Sequence, residues 1–590
     1  LGFMPILLLN GNIGDFVGPI AISVVMALLG SLFISLTIIA ALAARFLPRT
    51  ESALQPKASS WWRVGLQAPS LSFAFSRQLG RWIKQPYLVL PVVALFCLSG
   101  FVLSSTLANV FFPSADRDQF EVYLWTSEGS SIDNTHAFAK KVDEIIHLKD
   151  GVKQVTWLVG GSAPSVYYNQ VMTRDNLANF ANAVVTTETV SQASALISEL
   201  QHELDASLPQ VQVVVRAFGQ GPPIAAPVEV EIFGPDVDVL NELGQRVRFL
   251  LSDIPGVSQS IASVTMGEPE LNVDTNSDTL SYLGISLSDL AAQMQVNFSG
   301  LAGGSVLEST EEIPVSVRLS ETFRHDVAGI NAMPISINSE GENTWSTLGA
   351  IATTRYLPSL SSITRQDGER VNRVQAYLLP GVPAVDASNA LRDKLADSLT
   401  LPPGYRIHLA GDADEQQQAL GQLGTYAPVL LVLMVTTLIL TFTSLRMAGV
   451  IALVAVLSVG LGMFSLWISG LPVGFNPLLG SAGLIGVAIN GSIVVIAAIN
   501  ANSKAKQGDT KEIVKETMGC SRHILSTTFT TVGGLVPLLL FSEGSFWPPL
   551  AVVLAGGVGF SVILSLVFTP TLVAAFQRYR YRKGTNTLAK

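Results

Sequence analysis

The chain has 590 residues, 48% of them hydrophobic and only 14% charged, with a formal net charge of -9. Soluble globular proteins carry about 25% charged residues, so the composition excludes an ordinary soluble domain, and it shows no basic stripe of the kind that nucleic acid requires. The two cysteines, Cys97 and Cys520, fall too far apart in the predicted topology to pair, which excludes a disulfide framework and a cysteine metal site.

Leu1–Leu9 is apolar but too short to span a bilayer. No methionine, basic stretch or small-residue cleavage site precedes it, so it reads as the end of a truncated transmembrane helix (1–9), not a signal peptide, and the N-terminus is expected to be cut. Longer runs follow, matching the roughly 18 residues needed to cross a bilayer core. They are Val17–Ala44, Tyr87–Leu107, Leu423–Phe442, Ala448–Ile468, Leu478–Ile499, Ile524–Phe541 and Pro548–Phe576. These predict transmembrane helices over 17–45 and 87–107, and five more within 423–577.

Between the first two helices, the loop 46–86 and its borders carry Arg45, Arg49, Lys57, Arg63, Arg77, Arg81 and Lys84 against Glu51. Later basic loops hold Arg446, then Lys504, Lys506, Lys511, Lys515 and Arg522; the tail 578–590 holds Arg578, Arg580, Arg582 and Lys583. The loops Asn10–Phe16, Ser469–Asn476 and Ser542–Trp547 contain no Lys or Arg. Positive charge marks the cytoplasmic side, so residues 108–422 are expected outside. Within the first loop, Phe75, Leu79, Trp82 and Ile83 form an apolar stripe at helical spacing, which suits a helix on the membrane surface; a flexible linker is the alternative.

The outer region repeats strand, amphipathic helix, strand four times. The copies run Phe120–Trp125, Asp133–Ile146, Val152–Val159; Ala183–Thr187, Val190–Ala206, Val211–Phe218; Val228–Phe233, Val237–Ser252, Val257–Val264; and Val371–Leu379, Ala384–Leu399, Tyr405–Leu409. One copy cannot bury a core alone, so copies pair into ferredoxin-like α+β units. The expected division is a first module at 108–226, a second split between 227–269 and 369–422, and an inserted subdomain at 270–368. The fold class is therefore an α-helical transmembrane bundle plus an outer α+β domain of repeated βαβ units.

No hydrolase elbow or zinc-protease motif occurs, and His136, His147, His202, His325, His408 and His523 are not at metal-ligand spacing, so neither catalysis nor a cofactor is expected. Polar residues inside spans are costly and mark candidates. Asn490 and Ser492 lie in one span, and Ser526, Thr527, Thr528, Thr530 and Thr531 open the next. Helix–helix hydrogen bonding is the alternative role for each of them.

The ordered motifs Phe112-Pro113-Ser114-Ala115-Asp116, Gly411-Asp412, Gly486–Ser492, Arg522–Thr528 and Phe568-Thr569-Pro570, set around the repeated βαβ domain, resemble the resistance-nodulation-division (RND) superfamily, hydrophobe/amphiphile multidrug branch. The resemblance implies the permease of a proton-driven tripartite efflux pump for hydrophobic or amphiphilic small molecules. That pump is a homotrimer in the bacterial inner membrane, working with a periplasmic adaptor and an outer-membrane channel. It makes the two modules porter subdomains and 270–368 a docking region. It also implies proton coupling through Thr527, with Asn490 at the family's lysine position and Ser526 and Thr528 beside it; the lysine's absence departs from the ion-pair form of that mechanism. Tyr167, Tyr168, Phe180 and Phe218 are candidate substrate contacts, core packing being their alternative. A heavy-metal exporter would need clustered methionines, whereas Met172, Met266, Met294 and Met333 are scattered. A non-transporting scaffold or translocation accessory remains a further reading.

Overall fold

The computed structural model describes residues 4–46 and 69–588, apart from 171, 173, 265–269, 325, 340–341, 358, 360–362 and 543–544. Arg49, Glu51, Lys57, Arg63, Met266 and His325 lie outside the described residues.

The membrane bundle begins with α1 (Gly11–Phe46), which contains a π-helical turn at Ser35–Ile39. The amphipathic helix of the first loop is α2 (Pro69–Lys84). Its stripe does not face lipid: Leu79 and Ile83 are fully buried, and Phe75 and Trp82 pack beside them in a core that includes Ile513 and Val573. A helical stripe fixes which face is apolar, and here protein covers it. Pro86, whose missing N–H costs nothing at a helix start, opens α3 (Pro86–Ser104).

The chain then leaves the bundle. Strands β1 (Gln119–Trp125), β2 (Val152–Val159), β3 (Phe180–Thr187) and β4 (Gln212–Ala217) form an antiparallel sheet in the order β2-β3-β1-β4. Helices α4 (Ile132–His147) and α5 (Val190–Ser207) cover one face. Each is started by a side-chain cap, Ser131 accepting from Asn134 N–H and Thr189 from Gln192 N–H. Side chains alternate across a strand. Phe120, Val122 and Leu124 therefore enter the core under the helices, and Glu121, Tyr123 and Trp125 face the other way.

The second module repeats this connectivity. Strands β5 (Val228–Phe233) and β6 (Val257–Ala262) flank α6 (Val237–Ser252), which is capped by Asp236. The insert between them and the rest of the module has its own small core around Leu280, Leu290, Ile335 and Leu348. It contains β7 (Glu270–Thr275), α7 (Leu287–Ser299), the exposed hairpin β8 (Leu301–Glu308) and β9 (Glu311–Val317), the hairpin β10 (Pro334–Ser339) and β11 (Glu342–Thr347), and β12 (Ala352–Leu357), which pairs with β7. The chain returns through β13 (Arg365–Gln366), β14 (Glu369–Leu378), α8 (Ala384–Ser398) and β15 (Arg406–Gly411). β14 pairs with both β5 and β6, and β5 with β15.

Strand β15 runs directly into α9 (Asp412–Phe442), so this helix starts well ahead of the apolar run at Leu423. Gly411 makes the junction: its φ is 94°, and a β-carbon there would stand 2.7 Å from the Pro227 carbonyl oxygen. Only glycine accepts both conditions. The second module is thus continuous with a membrane helix. Helices α10 (Leu445–Ser469), α11 (Phe475–Ala501), α12 (Thr510–Leu540) and α13 (Trp547–Arg578) complete the bundle. Among the described residues, seven helices are long and apolar enough to cross a membrane.

Candidate functional site

The intramembrane candidates lie on α11 and α12. Asn490, Ser526 and Thr527 are exposed, and Thr528 is half-buried. The Thr527 hydroxyl donates back to the carbonyls of His523 and Ile524 in its own helix, at 3.1 and 2.9 Å. No hydrogen bond joins Asn490 to Thr527 among the described residues, and Gly486 and Val487 are exposed on the same face as Asn490. An exposed amide within an apolar helix calls for a polar neighbour, because hydrocarbon offers none.

Two residues further on, on the opposite side of the helix, Ser492 is buried. It receives a hydrogen bond from Thr569 at 2.9 Å and lies 3.4 Å from the Ser565 hydroxyl. Ser565 lies within a π-helical turn in α13, Leu564–Phe568, and Thr569 directly follows it, its one hydroxyl proton shared between Ser492 and the Leu564 carbonyl at 2.8 Å. Ser492 therefore is helix–helix glue, bracing an irregular turn. Sequence reading marked Ser492 and Thr569 but not their contact.

The four aromatic candidates of the outer domain separate. Tyr167 donates its hydroxyl to Gln119, lies under the Arg117 guanidinium at 3.6 Å, and packs edge-on against buried Phe218 at 4.8 Å. Tyr168 stacks on Phe16 of α1 at 5.9 Å and accepts the Gly221 N–H. These three pack at the membrane end of the first module. Phe180 alone lies in the seam between the modules.

That seam joins the faces of the two sheets that carry no helices. Trp125, Phe180 and Val214 of the first module pack with Tyr377 of the second, and Tyr123 and Ile261 adjoin. Ring centroids are 5.2 Å apart for Trp125–Phe180, 6.0 Å for Trp125–Tyr377 and 6.2 Å for Tyr123–Tyr377. Arg174, from the connection between β2 and β3, reaches across and donates to Gln375 at 2.9 Å and to the Tyr377 hydroxyl at 3.0 Å. Its guanidinium stands 5.2 to 5.5 Å from the rings of Trp125, Phe180 and Tyr123.

Charged groups border this aromatic patch. Glu121 accepts from Tyr123 and Gln170 at 3.1 and 2.8 Å and faces Arg216 at 3.7 Å. Arg373 bridges Glu229 and Glu231 at 3.6 and 3.2 Å, and His408 approaches Glu231 at 3.4 Å. Burial pushes the Glu229 carboxyl above its ordinary range, against the pull of Gln375 and Arg373. Burial also raises the Tyr123 hydroxyl, keeping it a donor. Tyr123, Trp125, Arg174 and Tyr377 were not singled out from sequence. The signal was the alternation of each strand, which puts Tyr123 and Trp125 opposite the core side.

No cluster of three His, Cys, Asp or Glu side chains able to hold a metal occurs among the described residues. Met294 and Met333 lie in the core of the insert, and Met172 is exposed. On the helix side of the seam a polar cavity of about 440 Å³ opens beside Gln212, Arg248 and Gln259.

Comparison with known proteins agrees with this architecture. Protein HelA of Legionella pneumophila is 25% identical over 99% of this chain and 55% of its own length. The cobalt-zinc-cadmium resistance protein CzcA of Cupriavidus metallidurans is 22% identical over 97% of the chain and 54% of its own. The multidrug resistance protein MdtC of Pectobacterium carotovorum is 23% identical over 98% and 55%. A crystal structure of a heavy metal efflux pump superposes with a TM-score of 0.77 at 20% identity, covering 97% of this chain and 56% of that one. The chain thus spans about half the length of the curated relatives it matches. The AcrB/AcrD/AcrF family profile matches residues 1–577, and the chain belongs to this family of RND permeases.

Proposed function

We propose that the chain supplies the substrate seam and part of the membrane bundle of an inner-membrane permease that exports hydrophobic or amphiphilic small molecules by proton antiport. The observation that carries this reading is the lining of the seam. Four aromatic rings and a guanidinium meet there across two modules, as suits an apolar or amphiphilic ligand. Transition metals call for several imidazole, thiolate or thioether donors together, whereas His408 stands at the border of the seam without a cluster of three ligands among the described residues.

Coupling is assigned to the exposed face of α11 and α12. On this reading Asn490 and Thr527, with Ser526 and Thr528 beside them, hydrogen-bond the pair of aspartates that the family resemblance implies on a further helix, outside this sequence. Protonating those carboxylates changes the bonds and biases one bundle arrangement over another. The continuous β15–α9 junction passes such a shift to the second module. On this reading the modules are porter subdomains outside the inner membrane, and 270–368 is a docking region. The working unit is a homotrimer served by a periplasmic adaptor and an outer-membrane channel.

The names of CzcA and the heavy metal efflux pump favour a second reading, metal-ion export. The two are separated in cells lacking their own pumps and expressing the natural full-length protein. The amphiphile reading expects lowered accumulation of a lipophilic dye with cobalt and zinc tolerance unchanged. Raised metal tolerance with unchanged dye accumulation would reverse the assignment, and no effect on either would favour a scaffold.

A further inference from the structure

We infer that His408 is a proton-binding site outside the membrane bundle: as an imidazolium it clasps Glu231 of the second module to Asp414 of α9 and stiffens the Gly411 junction between them. This rests on the reading that the junction carries motion from the bundle to the module, and it adds a site that answers to protons on the outer side.

Sheet register builds half of the clasp. Side chains alternate across a strand. Val230, Ile407 and Leu409 therefore enter the core of the second module, while Glu229, Glu231 and His408 stand on its helix-free face. His408 is the cross-strand partner of Glu231 on one side, and Arg373 is its partner on the other. Directly opposed side chains of this kind interact. His408 Nδ1 lies 3.4 Å from Glu231, and its Nε2 lies 3.9 Å from Asp414. Gly411 falls midway between His408 and Asp414, so the clasp spans the residue whose φ of 94° turns the strand into the helix.

The two ring nitrogens decide the protonation state. A neutral imidazole donates from one nitrogen and presents a lone pair from the other, whereas the imidazolium donates from both. With a carboxylate facing each nitrogen, only the imidazolium is attracted to both, and the neutral ring turns a lone pair on one of them.

The surrounding charges leave this role to His408. Asp414 accepts a hydrogen bond from neutral Gln418 at 2.6 Å, and its neighbour Glu415 accepts from Asn12 at 3.1 Å. Arg373 is shared between Glu229 and Glu231, and Arg406, on the same strand as His408, is held by Glu369 at 2.7 Å. Arg216, across the seam, faces Glu121 and acts on Asp412 through space. Among the described residues, His408 is the one group within ion-pair reach of Asp414 that can carry a positive charge. Its side chain is 47% exposed, so solvent protons reach it directly.

The test uses the full chain in lipid nanodiscs and reads backbone hydrogen exchange over 409–416, corrected for the intrinsic effect of pH on exchange. Protection should be roughly two- to fivefold greater at about pH 5.5 than at about pH 8, either side of the ordinary histidine range and by the amount a partly exposed ion pair supplies. The native chain needs no substitution to be tolerated for this reading. His408→Gln should be flat at the lower protection. His408→Lys, charged at both pH values, should be flat at the higher one. Equal protection at the two pH values in the native chain, or a response that survives in His408→Gln, overturns the clasp. A response that survives there and vanishes in Glu229→Gln assigns the proton to Glu229 instead. Exchange is read without transport. A native response in a full-length protein that exports no dye removes the export reading and leaves the clasp, and dye export with a flat native response does the reverse.

Discussion

Gly460 of α10 lies against the backbone of α3: a β-carbon on it would stand 2.1 Å from the Cys97 carbonyl oxygen, and one on Gly100 would stand 1.9 Å from the Gly460 carbonyl. Association of membrane helices relies on close packing of small residues, since lipid is as apolar as leucine. Gly460→Ala must therefore push the two helices apart. A loss of about 1–3 kcal/mol is expected, as for overpacked cores, and a lowered unfolding temperature in detergent checks it. An unchanged temperature would mean the crossing is not as tight as the glycines suggest.

A second prediction concerns Asn372, which is fully buried in the second module. Its amide donates to the Leu240 carbonyl at 2.8 Å and accepts the Val264 N–H at 3.1 Å. Gly244 leaves room for it, because a β-carbon there would stand 2.2 Å from the Asn372 nitrogen. Gly244→Ala and Asn372→Ala should each destabilise the module by about 1–3 kcal/mol, the first by clash and the second by orphaning a buried N–H. The double variant should lose less than the sum, because the methyl fills space the amide vacates. Strict additivity in a thermal-unfolding cycle would show that the two do not share that space.

What could be read from sequence was local. The strand, amphipathic helix, strand pattern marks the repeated units, because each signal is contained in a few neighbouring residues. The seam was not legible. Arg174 meets Tyr377 across 203 positions, and nothing near either residue specifies the other. Tyr167 and Tyr168 are adjacent in sequence yet pack against Phe218 and Phe16 in different surroundings, so aromatic content alone could not assign them to a cleft. Likewise the stripe on α2 declared an apolar face without declaring whether lipid or protein would meet it.

Glu229 gives a pH prediction. Burial raises its carboxyl pKa above the ordinary value of 4.5, so the folded module holds the proton to higher pH than the unfolded chain does. The stability from this proton is fully present below the ordinary value and is lost as pH rises through the raised one. Glu229→Gln keeps a hydrogen-bonding group beside Gln375 without the buried charge, and Arg373 retains Glu231 at 3.2 Å. The unfolding temperature of the variant should therefore gain on the native chain as pH rises from the ordinary carboxylate range towards neutrality. A gap that is constant with pH would show that Glu229 titrates alike in both states.

Thr527 separates a coupling role from a structural one. Among the described residues its exposed hydroxyl bonds only to carbonyls one turn back in its own helix, contacts that slightly disfavour a helix. Thr527→Ala should therefore leave folding within about 0.5 kcal/mol, as for surface substitutions. Ser492→Ala removes the buried acceptor of Thr569 and should cost about 1 kcal/mol. If Thr527 hydrogen-bonds the proton-carrying carboxylates, the order reverses for transport in the natural full-length protein. Thr527→Ala then abolishes dye efflux at normal protein levels, while Ser492→Ala lowers stability and leaves efflux per molecule largely intact. Undiminished efflux in Thr527→Ala removes this hydroxyl from the relay and shifts attention to Asn490, whose exposed amide is the remaining polar group on that face of α11.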